Sequence, residues 1–127
     1  MSKILLAVAF ALALTPVVAR AQDSAADAQT YLGFQVDKEA HMKAGIPPQY
    51  PAQLHAANVN GEVVVQYIVD ERGAPQMASF TVLKSTDAAF TESVRRAVGA
   101  MVFFPAEIQG KKVRQLVQQP FKFVANK

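Results

Sequence analysis

The chain of 127 residues contains no cysteine. This absence excludes disulfide bonds, thiol chemistry, lipid attachment at an N-terminal cysteine and zinc sites with cysteine ligands. The stability of the fold must therefore come from an ordinary apolar core. A chain of this length has room for one domain with such a core.

Patterns typical of catalysis or metal binding are also missing from the sequence. The two histidines, His41 and His55, are 14 residues apart and have no third ligand at a metal-like spacing, so we interpret both as surface residues. The carboxylates are scattered, and no serine lies in a nucleophile elbow. Glu92 with Arg95 or Arg96 is typical of an ion pair on a helix surface. We expect no metal, no cofactor and no enzymatic activity.

The charge pattern does not favour nucleic acid as a partner. The chain has 13 basic and 10 acidic residues, and without the N-terminal Lys3 and Arg20 the balance is 11 to 10. The densest basic cluster, Lys111, Lys112 and Arg114, is typical of a solvated loop. No run of lysine or arginine is long enough to indicate nucleic-acid binding.

Residues 1–21 are predicted to form a signal peptide. After a basic start, the apolar run from residue 4 to 18 leads to an Ala-x-Ala pattern that ends at Ala21, where cleavage is expected. An uncleaved membrane anchor is the alternative. The run of 15 residues is shorter than the roughly 20 needed to span a bilayer, and Pro16 interrupts it. The mature chain is then expected to begin at Gln22.

Residues 22–46 are predicted to be a mobile leader. They begin with a polar, alanine-rich stretch, and Tyr31, Leu32, Phe34 and Val36 follow as apolar residues that could dock on the domain or on a partner. The leader carries a net charge of −2 and residues 47–127 a net charge of +3, which favours docking within the chain.

The stretch from Gly61 to Gly73 predicts the central strand of a sheet. β-branched and aromatic residues alternate in it, and Asp70-Glu-Arg-Gly73 supplies turn residues at its end. Pro47 to Pro51 predicts an extended entry into a short helix that begins at Pro51. The residues expected on the buried face of the strand are Val63, Val65, Tyr67 and Val69.

The rest of the chain predicts a second strand, a helix and a third strand. A strand from Gln76 to Lys84 follows the turn and pairs with the central strand as a hairpin. Ser85-Thr-Asp87 predicts a helix start, and Phe90, Val94, Ala97, Val98 and Met101 form one apolar stripe. The helix is expected to close with Phe103 and Phe104 and to end at Pro105, with a loop over residues 108–112.

The third strand is expected from Val113 to Val124, and Pro120 marks it as an edge strand. Because the helix brings the chain back, strands two and three run parallel to each other. An all-antiparallel sheet then requires strand one between them, in the order 2-1-3. The sequence thus predicts an α+β fold of αββαβ type, with a three-stranded antiparallel sheet, a helix on one face and an open edge on the third strand.

This arrangement resembles the C-terminal domain of the TonB family over residues 46–124. The resemblance is carried by nine motifs that occur in the same order: Tyr50-Pro51, Gly61, Val63-x-Val65-x-Tyr67-x-Val69-Asp70, Gly73, Val82-Leu83-Lys84-Ser85, Ala97-Val98, Phe104-Pro105-Ala106, Gly110-Lys111 and Val117-x-x-Pro120-Phe121-x-Phe123.

The resemblance implies a non-enzymatic periplasmic domain that grips a segment of an outer-membrane transporter, or another envelope protein, as an added β-strand. It also implies energy transduction from an inner-membrane motor, but the expected cleavage removes the anchor and no long proline-rich segment is present. A free-standing periplasmic binding module is therefore the favoured hypothesis. The alternatives are an anchored energy transducer and a structural domain that pairs with a second copy through edge strands, so the protein is either a monomer or a homodimer.

Two groups of residues are candidates for partner binding. Tyr50 and Pro51 could contact the partner, although helix entry and packing explain them as well. The third strand could be the docking strand or an ordinary edge protected by Pro120 and charge. Its candidate residues are Val113, Gln115, Val117, Gln118 and Gln119.

Overall fold

A computed structural model describes residues 29–125. The predicted signal peptide with its cleavage point at Ala21 and the first residues of the leader lie outside the described residues. Between residues 29 and 125, no helix combines the length and apolar character that crossing a membrane requires.

The described chain contains seven strands, two α-helices and one 3₁₀ turn, Gly33–Gln35. Helix α1 precedes β3, and helix α2 lies between β4 and β5. The bounds are β1 (Thr30–Tyr31), β2 (His41–Ala44), α1 (Ala52–Ala56), β3 (Gly61–Val69), β4 (Pro75–Ser85), α2 (Ala88–Gly99), β5 (Val102–Phe104), β6 (Ala106–Ile108) and β7 (Lys111–Phe123).

Strand β3 lies at the centre of the main sheet, between β4 and β7, and is antiparallel to both. The three long strands thus lie in the order β4-β3-β7, with the strand expected at the centre in the middle. Every second residue of β3 is fully buried, because that face packs against helix α2. The buried residues are those expected from the alternation: Val63, Val65, Tyr67 and Val69.

Helix α2 begins where the sequence predicts. The Asp87 carboxylate accepts a hydrogen bond from the backbone N–H of Ala89 at 2.8 Å, which satisfies one of the free N–H groups of the first turn. The predicted apolar stripe is buried against the sheet: Phe90, Val94, Ala97, Val98 and Met101. The helix and the central strand thus share one core.

The prediction that the helix continues to Phe104 is wrong. Helix α2 ends at Gly99, and residues 102–104 form strand β5, which pairs with β2. Phe103 is buried and Phe104 is half-exposed, because a strand sends neighbouring side chains to opposite faces. The partner strand β2 lies in the predicted leader, which offered no strand signal.

Residues 108–112 do not form the predicted loop. Strands β6 and β7 form a tight hairpin around Gln109 and Gly110, which both have positive φ, 52° and 81°. Two central residues with positive φ match the right-handed twist of a hairpin. Strand β7 therefore begins at Lys111 rather than at Val113.

The sheet has more strands than the predicted three. On the side of β7 away from β3, β1 pairs in parallel with residues 114 and 115. Strand β6 forms a hairpin with residues 111–113, before the β3–β7 ladder begins. The edge predicted to be open is therefore covered at its beginning. Residues 29–46, predicted as part of a mobile leader, contribute β1, the 3₁₀ turn and β2 to the fold. The leader is thus docked on the domain over this range.

The turn after β3 is organised by the Asp70 carboxylate, whose side chain is 2% exposed. Its Oδ1 accepts the backbone N–H groups of Arg72 at 2.9 Å and Ala74 at 3.0 Å. Its Oδ2 accepts the Arg72 guanidinium at 2.9 Å and the Gln76 amide at 2.6 Å. Burial by itself would raise the pKa of Asp70, but the hydrogen bonds from Ala74 and Arg72 and the charge of Arg72 outweigh it and lower the pKa.

We expect this turn to make the stability of the domain sensitive to acid. Because the folded pKa of Asp70 is lowered, its contribution is complete above the unfolded value, about 3.9, and is lost as the pH falls through the folded pKa. Asp70→Asn should lower the free energy of unfolding at pH 7, and the difference from the unsubstituted protein should shrink below about pH 4. Denaturant titrations from pH 7 to pH 2 measure this; a difference that does not change with pH contradicts it.

Gly73 should tolerate no side chain. Its φ is +88°, and a Cβ atom there would lie 2.0 Å from the carbonyl oxygen of Phe103. Gly73→Ala should lower the free energy of unfolding by about 3 kcal/mol or more, since backbone strain and a clash add together. Gly110→Ala is the matched control, because Gly110 has φ +81° but nothing within 4 Å of the new Cβ. It should lose only about 1–2 kcal/mol. Equal losses in urea unfolding would refute the clash.

Candidate functional site

Strand β7 has one side that is only partly covered. It pairs with β3 from Gly61↔Phe123 to Val69↔Gln115 without a register shift. On the opposite side, the pairing of β1 with β7 ends at Gln115. In the described part of the chain, no strand pairs with residues 116–123 on that side. We call residues 116–123 the open β7 edge.

The open β7 edge has an unusual backbone at Pro120, which pairs with Val64. The register with β3 continues through this proline, which is tolerated where the missing N–H faces away from the neighbouring strand. Backbone groups of alternate residues face the same side of a strand. The N–H groups of Leu116, Gln118 and Lys122 therefore face outward, and Pro120 leaves a gap among them.

Two predicted binding residues lie outside the open β7 edge. Val113 pairs with Ala106 of β6. Gln115 is 3% exposed, and its side-chain Oε1 accepts the backbone N–H of Ala40 at 2.7 Å. Both residues are thus occupied by contacts within the chain, and the candidate set narrows to the other residues of β7.

Val117, Gln118 and Gln119 lie on the open β7 edge. Val117 packs against the core, and Gln118 is exposed on the opposite face. The Gln119 Oε1 accepts the hydroxyl of Tyr67 at 2.6 Å. Burial raises the pKa of Tyr67 to about 12, so the hydroxyl stays protonated, and able to donate, further into the alkaline range than an exposed tyrosine. Of the three side chains, only that of Gln118 is exposed.

Tyr50 and Pro51 are placed by packing. The Tyr50 ring lies edge-on to Phe90 and Phe123, with centroids 5.7 and 5.5 Å apart, and its hydroxyl donates to the carbonyl of Val59. Pro51 precedes helix α1 as its N-cap. Tyr50 thus supports the end of the open β7 edge from the core side, at Phe123.

Strand β4, at the other edge of the sheet, is less regular. Its register with β3 shifts between Val64 and Val65 and again between Gln66 and Ile68. At the second shift, the backbone N–H of Ile68 donates to the Ser79 hydroxyl at 2.8 Å. Bulges of this kind bend an edge and disfavour the addition of another strand. The open β7 edge is the more regular template of the two.

Sequence reasoning missed two features of this site. Leu116 and Lys122 contribute outward N–H groups. Both are an even number of residues from Pro120, and this spacing could have shown that their N–H groups face the same side of the strand as the nitrogen of Pro120. The contacts of β1 and β6 with β7 had no comparable signal, because strands of two or three residues are too short to show a period.

We expect Gln115 and Gln118 to respond differently to alanine. Gln115→Ala removes a buried acceptor and leaves the N–H of Ala40 without its partner, so the free energy of unfolding should fall by about 1–3 kcal/mol. Gln118→Ala, the matched control on the exposed face, should change it by less than about 0.5 kcal/mol. Urea unfolding compares them. A larger loss for Gln118→Ala would reverse the two assignments.

Comparison with known proteins places this geometry in a family. The family model for the Gram-negative bacterial TonB protein C-terminal domain matches residues 46–125. The fold is similar to the solution NMR structure of the Pseudomonas aeruginosa TonB C-terminal domain, with a TM-score of 0.61 and 27% sequence identity, over 72% of this chain and 91% of that chain. No curated protein matches the chain. The resemblance and the α+β fold predicted from the sequence are confirmed, and the chain belongs to the TonB C-terminal family as a TonB-like protein-interaction module.

Proposed function

We propose that this domain is a non-enzymatic periplasmic binding module. It binds an extended segment of an outer-membrane transporter, which adds to the open β7 edge as a further strand. The observation that carries the proposal is the regular β3–β7 ladder, since no strand within residues 29–125 pairs with the outer side of residues 116–123. Family membership supports a protein partner.

The chemistry of the edge explains how such a segment would be held. Outward N–H groups at residues 116, 118 and 122 and the carbonyls of alternate residues can pair with any extended backbone. The net free-energy contribution of each such hydrogen bond is about 0.5–1.5 kcal/mol, so several are needed for micromolar affinity. The backbone carries the binding in this proposal, and Leu116, Gln118 and Lys122 share one face of the strand, on which Gln118 and Lys122 are exposed.

A photo-reactive amino acid can test where the partner docks. The photo-reactive residue is placed at Gln118 or, as a control, at Leu83, which is 47% exposed on β4 at the other edge of the sheet. In intact cells, position 118 should crosslink to one segment of an outer-membrane transporter, as identified by mass spectrometry, and position 83 should not. Adducts that form only from position 83 would overturn the proposal. An adduct between two copies of the chain would instead support pairing through edge strands.

Replacing Gln118 with proline tests whether the partner binds through the backbone of β7. Gln118→Pro removes a second outward N–H, so affinity for the crosslinked segment, made as a synthetic peptide, should fall about fivefold to tenfold. Gln118→Ala retains the N–H and should bind within about twofold of the unsubstituted protein. Fluorescence anisotropy measures both affinities, and thermal unfolding confirms that both variants are folded. Equal losses would mean that the Gln118 side chain, rather than the backbone, is recognised.

A further inference from the structure

We infer that the chain carries its own competitor for the partner strand: residues 30–40, here called the latch, occupy one end of the docking edge and must leave for a partner to pair along all of it. The inference rests on the proposed function, because it concerns the same edge of β7. It assigns a regulatory role to a segment that the family match, which begins at residue 46, does not include.

The latch already uses the outer side of β7 as a partner strand would. Thr30 pairs with Arg114 and Tyr31 with Gln115, in a parallel ladder that ends where the open β7 edge begins. The 3₁₀ turn of residues 33–35 also contacts β7. A partner strand that extends beyond residue 116 toward the β6–β7 hairpin would occupy the position of the latch. With the latch released, the edge available to a partner grows from residues 116–123 to residues 114–123.

Hydrogen bonds hold the other end of the latch. The backbone N–H groups of Asp37 and Lys38 donate to the carbonyl of Glu107, and the N–H of Glu107 donates to the carbonyl of Lys38. The Asp37 carboxylate accepts the backbone N–H of Gln109 at 2.6 Å. The N–H of Ala40 donates to the buried Gln115 side chain. These contacts fix the latch to the β6–β7 hairpin and to β7.

The latch is attached with little apolar burial. No side chain from residue 29 to residue 46 is buried, and Phe34 is 84% exposed. The hydrogen bonds that hold it are modest in net free energy, and segments with few buried apolar contacts open at lower cost than the core. The latch can therefore open while the β3–β7 ladder and helix α2 remain intact.

A reversible crosslink tests the competition. Because the chain has no cysteine, Thr30→Cys with Arg114→Cys gives one possible disulfide between neighbouring strands, whose Cα atoms lie about 5 Å apart in a regular sheet. The probe is a fluorescent synthetic peptide with the sequence of residues 29–40, added to the mature chain. It should bind the reduced double variant and bind the oxidised form at least tenfold more weakly. Arg114→Cys alone, with and without reductant, is the control for loss of the arginine.

The outcomes separate this inference from the proposed function. Equal peptide binding by the oxidised and reduced forms would overturn the latch, even if position 118 still crosslinks to a transporter. A loss of peptide binding on oxidation, without any transporter adduct from position 118 in cells, would support the latch and refute the proposed partner.

Hydrogen exchange of the unsubstituted protein provides a second test that needs no variant. The N–H of Ala40 should exchange at least about 100-fold faster than that of Val65 in the central strand, because opening the latch is a local event. Equal protection of the two amides would show that the latch opens only with the whole domain and would overturn the inference.

Discussion

The fold depends on burying one face of the central strand β3 beneath helix α2. Val63, Val65, Tyr67 and Val69 are fully buried there, and this burial fixes the register of the strand, since a slip of one residue would expose all four. A strand in the middle of the sheet needs neighbours on both sides, so β4 and β7 become the flanking strands. The position of the open β7 edge is thus a consequence of where the core lies.

The turn between β3 and β4 joins this core to the second, smaller sheet. The carbonyl of Gly73 accepts the N–H of Phe103, which is in β5 and is paired through β5 to β2. Asp70 holds the turn in the conformation that brings Gly73 against this strand. The backbone hydrogen bond from Phe103 to Gly73 therefore joins the turn to the smaller sheet, and the buried Asp70 carboxylate supports it by shaping the turn.

The sequence was sufficient for elements whose signal is local. The alternation in β3, the Asp87 N-cap and the apolar stripe of α2 predicted the core correctly. Prediction from the sequence failed for β1, β2, β5 and β6. These strands have two to four residues each and form only because they pair with other parts of the chain. Gln115 and Gln118 illustrate the difference at the site. Alternation places them on opposite faces, but it could not show that the latch covers one end of the strand.

An exposed strand edge that serves as a binding site must also be kept from pairing with other copies of the chain. Strand β4 is bent by two register shifts, which suit an edge that is not used. Strand β7 is regular, and its protection comes from Pro120, which removes one outward donor, and from β1, which covers residues 114 and 115. Protection by a latch differs from protection by a bulge, because a segment held by a few hydrogen bonds can be displaced by a strand that forms more of them. In the proposed arrangement, a short, weakly buried latch hinders pairing with other copies of the chain. A longer partner strand can still displace it.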